Sequence, residues 1–166
     1  MTATALLDRI TGLSDDAALE AANLLAGDIL GAASDSEVTG QLSVALDSDE
    51  TLIRSALDSA TPHESAELAR SVLAASAVTG HAKEVEDALD ATGEKALLIE
   101  IAVIGLLALG VLHTVITRGA KSKMTDSTVT VGADGSVTVH TTEKVENFSL
   151  GTAIAPLAQK LLHPLS

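Results

Sequence analysis

A mainly α-helical protein with a small β appendage is what this sequence predicts, and three observations carry the prediction. Apolar residues recur at three- and four-residue spacing through the first half of the chain, separated by cap and turn residues. The segment ALLIEIAVIGLLALGVLHTVITRG (96–119) is apolar on every face. Strict Val/Thr alternation around Gly132-Ala133-Asp134-Gly135 then predicts one β-hairpin. The expected order is an acidic N-terminal helical bundle (1–94), one long apolar helix (95–118), and a basic stub with the hairpin and a short C-terminal amphipathic helix (119–166).

The helices of the bundle have local causes. MTATALLDRI lacks the charged and apolar regions of a signal peptide and reads as a first short helix, with Leu6, Ile10 and Leu13 on one face. Ser14 caps a second helix, and Asp15 and Asp16 suit the positive end of its dipole. Its inward stripe is Ala18, Ala22, Leu25, Ile29 and Ala32. Val38, Leu42 and Ala45 outline a third helix, and DSDETLIRSALDS a fourth with Leu52, Ile53, Ala56 and Leu57 inward. The clearest start signal is Thr61-Pro62-His63-Glu64: Thr61 caps, Pro62 occupies the first turn, and Glu64 completes a capping box. That helix is expected to stop at Gly80, and a further one at Gly93. The echoes Ala-Leu-Asp (45, 56, 88) and Val-Thr-Gly (38, 78) keep no fixed period, so a solenoid is not expected.

Composition bounds the chemistry. Phe148 is the only aromatic residue, so helices must pack closely through small side chains. There is no cysteine, hence no thiol nucleophile or thiolate metal site. The net charge is −13, and residues 1–95, with 18 Asp/Glu against 5 Lys/Arg, carry all of it; residues 96–166 hold 5 of each. Such a surface repels phosphates and offers no base-stacking platform, which excludes nucleic acid and leaves a basic protein as a partner.

The apolar helix admits two placements. Leu97–Thr117 makes about 31 Å of helix, enough for a hydrocarbon core of about 30 Å. Its thirteen Leu, Ile and Val side chains favour insertion by about 4 to 8 kcal/mol. Glu100 lies near one end and His113 near the other, about 220° apart around the helix, so they form no relay. Arg118, Lys121 and Lys123 make a basic stop suited to headgroups. Against this, the unbroken apolar run from Ile101 to Leu112 is only 12 residues, as in a core helix, and no Trp or Tyr belt flanks it. Length and hydropathy decide for a single-pass span with the acidic domain in the cytoplasm; the alternative is a buried central helix.

Register in the hairpin follows from face segregation. A three-residue loop, Ala133-Asp134-Gly135, opposes Val131 to Val137, Val129 to Val139, Thr130 to Thr138 and Thr128 to His140; a two-residue loop would mix the faces. The four-valine face needs a cover: the apolar helix, KVENFSL as a third strand, the C-terminal segment around Leu157, Leu161 and Leu162, or a second copy of the chain. Val129, Val131, Val137 and Val139 are therefore assembly candidates. Pro156 is expected to interrupt the C-terminal apolar segment.

No catalytic, cofactor or metal site is expected. The five histidines show no metal-helix spacing, and Asp47-Ser48-Asp49-Glu50 lacks the later positions of a calcium loop and reads as a helix cap. No phosphate loop, nucleophile elbow or spaced carboxylate pair occurs. The functional expectation is a non-enzymatic, membrane-anchored interaction and assembly protein with an acidic recognition domain, forming homo-oligomers. Two alternatives are a water-soluble self-assembling structural protein with the apolar helix buried, and a pore-forming effector whose helix inserts after a trigger.

Overall fold

The computed structural model describes residues 3–31, 35–46, 49–92, 101–119, 128–131, 136–141, 145–150 and 154–157. Seven helices come first in chain order: α1 (Ala3–Thr11), α2 (Asp15–Leu30), α3 (Asp35–Leu46), α4 (Glu50–Ser59), α5 (Pro62–Val78), α6 (Ala82–Ala91) and α7 (Ile101–Gly119). Three strands follow, β1 (Thr128–Val131), β2 (Val137–His140) and β3 (Val145–Phe148), and then one helical turn over 154–157.

Local signals set the helix ends. The Ser14 side chain accepts from the Ala17 N–H, and Asp49 from the Thr51 N–H. At the start of α5 both halves of the capping box form: Thr61 Oγ1 accepts from the Glu64 N–H, and Glu64 Oε1 from the Thr61 N–H. Its other end closes with Gly80 at φ +97° while the His81 N–H reaches back to the Ser76 carbonyl, the bond that ties off a helix with a left-handed residue beyond its cap. α6 ends at Ala91 with Thr92 as its cap; Gly93 lies outside the described residues.

α5 is the hub. Every residue from Leu68 to Val78 is buried, together with Ser65 and Ala66, because α1, α2, α6, α7, β2 and β3 all pack on it. Where α2, α5 and α7 converge, the contact is built from Ala18, Leu19, Ala22, Ala66, Ala69 and Ile104. Mostly methyl-sized side chains let the three backbones approach closely, as a core almost without aromatics requires.

The expected bilayer span is corrected by this packing. Among the described residues no helix is long and apolar enough to cross a membrane. Ile104, Leu106, Ala108, Leu109, Val111 and Leu112 of α7 are at most 2 % exposed, surrounded by α2, α3, α4 and α5. A helix apolar all round needs an apolar environment on every side, and here its own chain supplies it. Two glycines fit the neighbours: a Cβ at Gly105 would stand 3.1 Å from Leu57 Cδ2, and one at Gly110 would stand 2.8 Å from Val38 Cγ1.

The hairpin register matches the face-segregation argument in all four pairs, Thr128 with His140, Val129 with Val139, Thr130 with Thr138 and Val131 with Val137. The loop 132–135 lies outside the described residues. β3 extends the sheet antiparallel to β2, giving the order β1-β2-β3 and pairing Phe148 with Val137. The cover for the valine face is chiefly α5, which was not among the candidates. Val137, Val139 and Phe148 join the same core cluster as the helices, with Leu150, Ile154, Ala155 and Leu157. Leu161 and Leu162 lie outside the described residues. Pro156 sits inside the helical turn instead of interrupting it, since the first turn of a helix needs no N–H from that position. One inward assignment also fails: Leu52 is 63 % exposed. α4 buries only the narrow stripe of Ile53 and Leu57, and Leu52 lies about 100° round the helix from Ile53.

Candidate functional site

On α5, His63, Glu67 and Arg70 share one face at i, i+4 and i+7. This polar stripe interrupts a helix otherwise lined with small apolar residues, and it meets the start of α2. Arg70 is 7 % exposed and its guanidinium is engaged from three sides. One nitrogen donates to Glu67 Oε1 at 2.8 Å; the other donates to Asp15 Oδ1 at 2.7 Å and to the Leu13 carbonyl at 2.8 Å. His63 Nδ1 lies 3.0 Å from Asp15 Oδ2. The hydrogen bond from Arg70, and then that with His63, hold the Asp15 carboxyl below its ordinary pKa.

Two carboxylates beside one guanidinium form a charge-assisted clamp. Asp15 stays ionised at neutral pH and serves as an acceptor, not a proton donor. The clamp fastens the α1–α2 connection, through the Leu13 carbonyl, to the hub helix. A second ion pair, Arg9 to Asp90 at 2.9 Å, joins α1 to α6 at a more exposed position where such pairs contribute little. The sequence reading did not single out Arg70. Its signal was present: a lone arginine seven residues after His63 and three after Glu67 in an alanine-rich helix needs a carboxylate partner from elsewhere.

The residues expected to matter fall in several places. Val137 and Val139 are fully buried on the inner face of the sheet. Val129 and Val131 oppose Val139 and Val137 in β1. His113 lies on the C-terminal half of α7, half-buried, and desolvation lowers its pKa. Arg118 belongs to the last turn of α7, while Glu100, Lys121 and Lys123 lie outside the described residues. Among the described residues no three His, Asp or Glu side chains group to hold a metal ion.

Two buried hydroxyls on α5, Ser65 Oγ and Ser76 Oγ, have no hydrogen-bond partner among the described residues. The outer face of the sheet carries a cross-strand bond from Thr138 Oγ1 to Asn147 Oδ1 at 2.8 Å. β1 forms one end of the sheet, and its sequence, Thr-Val-Thr-Val, holds none of the charges or prolines that commonly guard an edge.

Comparison with known proteins returns no match. No protein-family model, no curated protein and no solved structure is similar to this chain.

Proposed function

We propose that this is a non-enzymatic assembly protein whose copies associate through the β1 edge of the C-terminal sheet. The observation that carries the reading is the uncharged Val/Thr strand that ends the sheet among the described residues, lying in the part of the chain whose charges balance. The 13 net negative charges reside in residues 1–95 before it, so two chains meeting at β1 avoid the strongest repulsion. The outward N–H and C=O groups of an edge strand gain partners by such addition.

Face segregation selects the register here as it does within the hairpin. Antiparallel pairing about a two-fold axis through Thr130 sets Val129 against Val131 of the second copy, and Thr130 against its own equivalent. Valines then share one face and the two sheets become one of six strands. Light scattering after gel filtration without detergent tests this: a defined dimer, or a multiple of it, is expected. Thr130→Lys sets like charges directly opposite and yields monomer with unchanged far-ultraviolet circular dichroism, whereas mixing it with Thr130→Glu restores the dimer. A monomeric parent chain, or a Lys variant that assembles as the parent does, overturns the reading.

A second role belongs to the acidic helices. Val44 is 84 % exposed in the last turn of α3 and Leu52 63 % exposed in the first turn of α4, beside Asp49 and Glu50. Apolar side chains amid carboxylates suit a cationic amphipathic partner, and its binding would weaken as salt rises.

A further inference from the structure

α3 and α4 differ from every other helix in what they touch. Their principal contacts are with each other and with α7, and neither has α1, α5, α6 or the sheet as a principal neighbour. Among the described side chains of the pair, Val38, Thr39, Leu42, Ile53 and Leu57 are buried. The pair is also fastened internally: Arg54 Nη2 donates to Thr39 Oγ1 at 3.1 Å, and Gly40 lies beside Glu50.

The helices on either side of this pair end and begin on signals of their own. α2 ends at Gly31, whose φ of +65° breaks the helix before α3 begins. α5 begins with its own capping box and Pro62, so it draws nothing from α4. Detaching α3 and α4 would therefore unravel neither neighbour.

We infer that α3–α4 is a lid over α7 that opens as one unit while α1, α2, α5, α6 and the sheet stay closed. Its seat is the pair of glycine notches, Gly105 under Leu57 and Gly110 under Val38. Opening uncovers an apolar groove on α7 floored by those glycines. Local opening of this kind follows from few buried side chains among the described residues of a pair whose principal outside neighbour is α7 alone.

Hydrogen exchange of the full chain followed by mass spectrometry tests the lid. Residues 35–59 exchange as a block, with one shared rate about tenfold or more faster than 62–78. Because the chain has no cysteine, a Val38→Cys/Gly110→Cys pair can lock the lid; oxidation slows exchange in 35–59 to the rate of the core, and reduction restores it. Leu57→Ala, which shallows the seat, speeds exchange of both α3 and α4 and leaves α5 unchanged. Exchange of 35–59 no faster than 62–78, or unrelated rates in α3 and α4, overturns the inference. Where the cysteine pair does not fold, the parent chain and Leu57→Ala decide the matter.

Discussion

α5 and α7 reach the same depth in the molecule with opposite compositions. α7 is mostly leucine, isoleucine and valine, with two notch-forming glycines. α5 carries five alanines, three serines and an arginine, yet among the described residues it has six elements as principal neighbours, against four for α7. Hydropathy records what a helix would lose in water; enclosure depends on how many neighbours can close round it. Thin side chains let more backbones in, and a chain with one aromatic residue has few other ways to fill a centre.

Truncation of a large side chain on each helix is the strongest way to break this comparison. Leu73→Ala and Leu109→Ala each remove a side chain with no exposed surface, and each should cost about 2 to 5 kcal/mol in urea unfolding. Leu73 should lie toward the upper end, since a site ringed by more elements relaxes less into the cavity. A larger loss at Leu109 would reverse the ranking of the two helices.

A smaller effect tests the notches. Gly110→Ala gains about 1 kcal/mol of helix propensity but drives its Cβ against Val38 Cγ1, an overpacking cost of about 1 to 3 kcal/mol. Net destabilisation is expected, and Val38→Ala in the same chain should return part of it, so the two changes are non-additive in a double-mutant cycle. Strict additivity would mean that the close approach does not limit the packing.

The mildest test bears on the polar clamp that only α5 has. The folded-state pKa of Asp15 is depressed, so its contribution is complete above the unfolded carboxyl value of about 3.9 and is lost as pH falls through the lower folded value. Asp15→Asn should lower the urea midpoint at neutral pH and converge with the parent below that range. Parallel curves down to the most acid point would remove the clamp from the stability of the fold.

Much of the architecture was legible because it is written locally. The capping box at Thr61, the stop at Gly80 and the hairpin register each depend on a few adjacent residues, and each forms as read. What could not be read was which surfaces meet. The apolarity of α7 is equally suited to lipid and to helix neighbours, and only the arrangement of α2, α3, α4 and α5 around it decides between them. Arg70 and Asp15 lie 55 positions apart, so their pairing is a property of the fold. Leu52 looked inward because α4 was given a wider apolar stripe than its single packed side can cover. The valines of the hairpin, Val137 and Val139 among them, were recognisable as a face in need of shelter, but the helix that chiefly shelters it, α5, lies about sixty positions away in the chain.

The capped start and the tied-off end of α5 also restrict how this protein can move. A helix whose first and last turns are both tied off neither gains nor loses a turn without breaking a cap bond, so its two ends stay where they are. It behaves as an axle of fixed length.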